Sequence, residues 1–263
     1  MLPATDTTSL AGWRRLCHWD TEAVTVSQQQ RGLLDEARLE QSTVVANCAM
    51  NRDRRLSGVN SYARELGFNP LDALTSLLAG GNGTVAWLDL CCGSGRALEQ
   101  AARELSLAGL AGRVVLVGVD LVDTFVTLAD PLAGLELVCV NVASWQPARQ
   151  FDLITCVHGL HYVGDKLALV SRAASWLTPA GRLVADLDLA AVHVDGRPGG
   201  RVLAAKLRAE GFAYDARRHM LTCAGHRLAE FPYTYLGADD RAGPGYTGQP
   251  AVCSHYATAD SAT

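Results

Sequence analysis

The sequence predicts a doubly wound α/β fold, a mostly parallel sheet with helices on both faces, preceded by a helical cap. Three observations point there. From Thr84 onward, short apolar runs alternate with stretches of helical periodicity. The runs are apolar at nearly every position, as strands covered on both faces are. Residues 1–82 show helical spacing and no clear strand. The chain is therefore read as a cap, residues 1–82, and a core, residues 83–263, that ends in a strand hairpin and forms one unit with the cap.

In chain order, "TVSQQQRGLLDEARLEQSTVVANCAM" (25–50) reads as one helix and "NSYARELGFNPLDALTSLLAG" (60–80) as another, broken near Pro70. "TVAWLDL" (84–90) is a buried strand, and "GRALEQAARELSLAGL" (95–110) a helix ending at glycine. "RVVLVGVDL" (113–121) is a second strand, followed by a weakly helical link and a third strand, "LELVCVNV" (135–142). "FDLITCVHGLHYV" (151–163) begins with a fourth, 165–181 is a helix stopped by Pro179 and Gly181, and 181–190 is a fifth strand. Beyond a loop at 196–200 come a helix, "RVLAAKLRAEGF", two strands around Ala224-Gly225, a loop, and a short strand in "AVCSHYA". The tail after Ala257 is read as frayed.

The 263 residues are 49% hydrophobic and 19% charged, with a net charge of -4. No basic face suggests nucleic acid; the densest basic cluster, "NRDRR" (51–55), reads as a solvated helix face or loop. No run approaches the roughly eighteen apolar residues of a membrane span. The N-terminus lacks a charged start followed by an apolar block, so a cytoplasmic location is expected. The eight cysteines (17, 48, 91, 92, 139, 156, 223 and 253) then sit in a reducing compartment, form no C-x-x-C pair, and leave no metal expected.

The chemistry concentrates in "WLDLCCGSGRAL" (87–98), where an acid ends the first strand and a glycine turn opens a helix. A dinucleotide loop would need a third glycine at Leu98, and a phosphate-binding loop would need Lys after Gly95 rather than Arg96. Cys91 and Cys92 have no second pair, and read as small side chains in a crowded turn.

What remains, Asp89-x-x-x-Gly93-x-Gly95, resembles the first motif of class I S-adenosylmethionine-dependent methyltransferases, in its Asp-Leu-Cys-Cys-Gly-Ser-Gly variant. The usual form has glycine where Cys91 stands. Asp120 ends the second strand, Asn141 the third, "FDLI" opens the fourth, and "WLTPAGRLV" (176–184) is similar to the family's turn into the fifth. The landmarks cover residues 84–190 in family order. The resemblance implies a Rossmann-like, seven-stranded core and the cofactor S-adenosyl-L-methionine, with S-adenosyl-L-homocysteine as product.

It also implies residue roles. Cys91, Gly93 and Gly95 shape the turn, Asp89 neighbours the methionine part, and Asp120 holds the ribose hydroxyls. Leu121 covers the adenine, Asn141 with Val142 reads its amino group, and His158 contributes to the pocket, in part through its backbone. Tyr62 or Arg64 of the cap would touch the carboxylate end; the plainer reading is helix packing. His161 or Tyr162 would face the acceptor, with His161 either taking a proton or only ordering its loop. The other histidines receive no role, and Trp13, Trp19, Phe231, Tyr233 and Tyr235 line an acceptor pocket or the core.

Three other acceptor types lack their motifs. There is no Asn/Asp-Pro-Pro-Tyr after strand four, no Pro-Cys, and no acid cluster near strand four. The expected partner is a small-molecule acceptor, methylated on O or N, with no nucleic acid or membrane and with room for a homodimer. A protein or RNA methyltransferase is the alternative, and a non-catalytic cofactor-binding subunit the alternative of another class; a dehydrogenase is more distant. The phrase "YLGADDRAGPGYTGQPAV" (235–252) is too particular for filler and receives no role.

Overall fold

The computed structural model describes residues 32–46, 53–81 and 83–259. Two short helices, α1 (Glu36–Glu40) and α2 (Thr43–Ala46), stand where the periodicity predicts one long helix. Gln41 closes α1 with its N–H on the carbonyls of Arg38 and Leu39. Ser42 then turns its hydroxyl to Asp240 at 2.5 Å, a tertiary contact that the helical spacing does not anticipate. Residues 25–31 and 47–50 of that reading lie outside the described residues, as do Cys17, Cys48, Trp13, Trp19 and His18.

Helices α3 (Tyr62–Leu66) and α4 (Pro70–Ala79) are separated near Pro70 as the sequence predicts. Ser61 caps α3 and Gly67 ends it at φ 78°, and Asn69 caps α4 with proline in its first turn. Leu71, Leu74 and Leu78 of α4 share one apolar cluster with Trp87, Leu98 and Leu116, so this helix covers one face of the sheet.

The sheet is then laid down by β1 (Val85–Leu90), α5 (Arg96–Leu107), β2 (Val114–Asp120), β3 (Leu135–Cys139), β4 (Phe151–Cys156), α6 (Lys166–Ser175) and β5 (Leu177–Asp186). No helix forms between β2 and β3. The linker carries Pro131 and the β-branched Val122, Thr124, Val126 and Thr127, all poor helix formers. Next come β6 (Val192–Val194), β7 (Arg197–Pro198), α7 (Gly200–Ala209), β8 (Phe212–Asp215), β9 (Met220–Ala224), β10 (Tyr233–Asp239) and β11 (Cys253–Thr258).

Seven strands form the main sheet in the order β3-β2-β1-β4-β5-β9-β8. β1 to β5 run parallel, and β9 is antiparallel to both neighbours. Strand order reverses between β1 and β4, which opens a crevice at their carboxyl ends. The strands on either side of Ala224-Gly225 are present but do not pair with each other. β9 forms a hairpin with β8, which the sequence left unread, while β10 joins a second sheet of order β10-β11-β6-β7. β11 carries regular pairing to Thr258, one residue past the point where fraying is expected; residues 260–263 lie outside the described residues.

Lys166, 1% exposed, ties the two sheets together. Its Nζ donates to the carbonyls of Val163 and Val252 at 2.8 and 2.7 Å and to the Ser254 hydroxyl at 3.0 Å. Among the described residues, no helix is long and apolar enough to cross a membrane.

Candidate functional site

The glycine turn is bent by three alternate left-handed positions: Cys91 at φ 56°, Gly93 at 61° and Gly95 at 72°. Cys91 holds a conformation costly for a side-chain-bearing residue and natural for glycine. The turn is fastened to β2: the Cys92 N–H donates to the Val119 carbonyl at 3.1 Å, and the Gly93 N–H to Asp120 Oδ2 at 2.8 Å. Gly95 is the α5 N-cap and offers no side chain to the first-turn N–H groups. A Cβ there would lie 2.8 Å from Leu137. The helix end is thus left to a ligand.

A cleft of about 720 Å³ opens at the strand reversal. Cys91, Gly93, Asp120, Leu121, Asn141 and Val142 line its floor and one wall, and His158, Gly159 and Tyr162 another. Asp120 Oδ1 also accepts from the Val122 N–H at 3.1 Å. Val142 is held in place through its carbonyl, which accepts from Arg172.

The outer wall comes from residues that belong to no motif. Glu36, Leu39 and Glu40 of α1 and Val45 of α2 face the cleft. Asn141 lies two residues beyond the end of β3; its Oδ1 accepts from the Ala143 N–H at 2.7 Å, and its Nδ2 donates to Glu40 and, at 3.4 Å, to Glu36. The amide oxygen thus gives one of its two lone pairs to its own turn, and the α1 carboxylates are further acceptors that face the cleft beside it. Burial raises the Glu36 carboxyl above its ordinary range, and the Asn141 bond opposes the shift.

Tyr62, Asp89, Gly95 and His161 are not on the cleft wall. Asp89, 1% exposed, sits under the turn. Its Oδ1 accepts from Thr155 Oγ1 and its Oδ2 from the Tyr62 hydroxyl, both at 2.6 Å, and the Trp87 indole N–H donates to the same threonine at 2.8 Å. Burial pushes the Asp89 carboxyl up to about 7, with the two hydroxyl donors pulling the other way. Tyr62 and Asp89 are therefore brought together, as the resemblance implies for the methionine end, but as one buried network.

Past β4, His158 at φ 57° donates its backbone N–H to Asp186 Oδ2 at 3.1 Å. Its ring Nε2 lies 3.3 Å from Glu65 Oε2, and its Nδ1 lies 3.4 Å from His161 Nε2. The His158 bond holds Glu65 down to about 2. Burial keeps His161 neutral down to about 3, with the neighbouring imidazole adding to the shift. Phe231, Tyr233 and Tyr235 pack against the core. The ring that does reach this site is Tyr246, from the unassigned 235–252 segment, stacked on His219 at 3.9 Å. Tyr246 and His219 carry no local signature; only the folded chain brings them to the ends of β4 and β5.

The residues present fit S-adenosylmethionine by their chemistry: the cleft offers the Asp120 carboxylate at the end of β2 beside the Gly93 turn and the apolar Leu121 and Val142. Among the described residues, no group of three or more His, Cys, Asp or Glu side chains is placed to hold a metal ion.

Residues 88–181 match the family described as "Methyltransferase domain". No curated protein matches the chain. Similar solved structures include S-adenosylmethionine-bound CalS10, an amino pentose methyltransferase from Micromonospora echinaspora involved in calicheamicin biosynthesis. It is 23% identical over 44% of this chain and 48% of its own, at a TM-score of 0.33. The plantazolicin methyltransferase BpumL, with a monoazolic analog and S-adenosylhomocysteine, is 17% identical over 64% of this chain and 61% of its own, at 0.38. An S-adenosylmethionine-dependent methyltransferase from Mesorhizobium loti is 26% identical over 43% of this chain and 51% of its own, at 0.33. The chain thus spans less than two thirds of the length of these structures. Motif order and sheet order agree with the family match: residues 88–181 are similar to a methyltransferase domain.

Proposed function

We propose that the protein transfers a methyl group from S-adenosylmethionine to an oxygen or nitrogen of a small molecule, natural products included. The observation that carries this reading is the cleft at the strand reversal, which gathers the Gly93 turn, Asp120, Leu121, Asn141 and Val142 on one side. The cofactor, when bound, supplies a methyl group already activated on a sulfonium. The chain's task is then to bind, align and exclude water.

Asp120 accepts the ribose hydroxyls, Leu121 and Val142 flank the adenine, and Asn141 with the α1 carboxylates meets its amino group. Asp89, joined to Tyr62, fixes the turn beneath the methionine end. His158 and Tyr162 line the cleft on the acceptor's side, and His161, behind His158, holds that ring in place as a neutral imidazole. Both His158 ring nitrogens are engaged, so this pair orients rather than shuttles protons. Helices α1 and α2 close the cleft as a lid.

Calorimetric titration with S-adenosylhomocysteine tests the reading. Wild-type protein is expected to bind, and Asp120→Ala to weaken binding at least about ten-fold, roughly 1.4 kcal/mol. Absence of binding by the wild type, with binding of a nicotinamide dinucleotide instead, would overturn it.

A further inference from the structure

The ends of β5 and β9 hold a cluster outside the donor cleft. The Tyr246 ring lies flat on His219, at 3.9 Å and 6° between planes, in an edge-type contact with His161 at 5.2 Å and tilted at 33° to His158 at 6.3 Å. Its hydroxyl points to Asp186 Oδ1 at 3.4 Å, and its backbone N–H to Asp188 Oδ2 at 3.4 Å. Both carboxylates are buried, at 2% and 6% exposure, whereas Tyr246 is 40% exposed.

The contacts that hold this tyrosine are weak. Both of its polar bonds are at the long limit for hydrogen bonds. It sits in a loop bent at Gly243 (φ 99°) and Gly248 (φ 77°), and a Cβ at either glycine would meet nothing within 4 Å. The loop base, by contrast, is fastened: Gly245 donates to the Gln249 carbonyl at 2.9 Å and Val252 to the His161 carbonyl at 2.8 Å. A second groove is lined by Asp188, Tyr214 and His219 and so reaches the stacking partner of Tyr246 from the surface. On the other side, Asp186 Oδ2 holds the backbone of His158, which lines the donor cleft. The ring seat therefore lies between an entry groove and the cleft.

We propose that His219, Asp186 and the 240–251 loop form the acceptor seat, that Tyr246 lies in it as a stand-in for a flat aromatic acceptor bearing a hydroxyl or ring amino group, and that Asp186 takes the acceptor's proton. The inference rests on the reading of the cleft as the methyl-donor site. His219 supplies a stacking face, His161 an edge contact, and Asp186 a buried acceptor for the acceptor's polar hydrogen. Burial raises the Asp186 carboxyl above its ordinary range, which suits a group that must take up a proton. For a hydroxyl acceptor, the oxygen forms its bond to the methyl carbon as the sulfur–methyl bond breaks. The electron pair of that bond stays on sulfur, and the hydroxyl proton goes to the Asp186 carboxylate. Tyr246 must swing out for the acceptor to enter, and the glycines on either side of it permit that.

The probe is 4-methylphenol, the tyrosine side chain as a free molecule. Full-length wild type, Tyr246→Ala, Tyr246→Phe and Tyr246→Ala with Asp186→Asn are compared. The readouts are calorimetry with S-adenosylhomocysteine, saturation-transfer NMR with the phenol, and tritium transfer from labelled S-adenosylmethionine into 4-methylanisole. Tyr246→Ala is expected to bind the phenol at least about ten-fold more tightly than wild type and to methylate it, while Tyr246→Phe keeps the seat filled and resembles wild type. Adding Asp186→Asn should leave phenol binding within about three-fold and cut transfer about a hundred-fold or more, the general-base contribution. If Tyr246→Ala binds S-adenosylhomocysteine like wild type, yet the phenol fails to bind or binds without being methylated, the proposal is overturned. If wild type itself does not bind S-adenosylhomocysteine, the donor reading fails first, and that outcome is separately visible in the calorimetry.

Discussion

Asp89 shows how a single buried acid makes stability depend on pH. Its carboxyl moves from 3.8 in an open chain to about 7 in the fold. Between those values the folded state holds a proton that the unfolded state has lost, so stability falls as pH rises from about 4 to 7 and levels off above. Asp89→Asn removes the titration while its carbonyl still accepts a hydroxyl. Urea unfolding should find wild type and variant closest near pH 4. Wild type should then fall behind by up to about 1.4 kcal/mol per pH unit until pH 7, the increment for one proton. A constant difference across that range would sink the argument. Asp89 was legible in the sequence because it closes an apolar run just before a glycine turn, and Asp120 because it closes the next apolar run. The hydroxyl partners of Asp89 were not, since Thr155 is 66 residues away in the chain and Tyr62 is 27.

At the scale of elements, the short 3-10 turn Gly159–Tyr162 after β4 is fitted to the glycine turn after β1. A Cβ on Gly159 would lie 2.5 Å from Cys91 Cβ and 2.7 Å from Cys156 Sγ. Gly159→Ala must therefore shift one turn against the other. We expect a loss of about 1–3 kcal/mol, the usual cost of overpacking, read by denaturant unfolding. Weaker S-adenosylhomocysteine binding should accompany it, because Gly159 also lines the cleft. The alternation of β1, α5 and β2 was readable because each element carries its own period and its own stop signal. The second sheet was not, because β6 and β7 are three and two residues long and β6 finds its partner in β11, near the other end of the core. β8 escaped for the same reason: Phe212–Asp215 is four residues following directly on a helix, too short for a period to show.

Across the whole molecule, Lys166 joins the two sheets. Burial pushes its ammonium from 10.5 down to about 7. Between pH 7 and 10.5 the unfolded chain binds a proton that the folded one does not, so this group adds stability as pH rises through that window, the opposite slope to Asp89. Lys166→Met should cost about 2 kcal/mol or more at neutral pH, because the Val163 and Val252 carbonyls lose their shared donor. In chemical denaturation the gap should widen toward pH 10; a variant as stable as wild type would show that the sheets hold together without this contact.

The tie between the first helices and β10 has a consequence for how the protein is made. Ser42 bonds to Asp240 across 198 residues, and Leu34 pairs with Ala238. A ribosome adding about 5–20 residues per second needs roughly 10–40 s to travel that distance. Through that interval the parallel strands can assemble on the emerging chain, while Leu39 still lacks the Ala238 and Val252 side chains it packs on. The cleft of a nascent chain thus keeps an incomplete outer wall until β10 has been made.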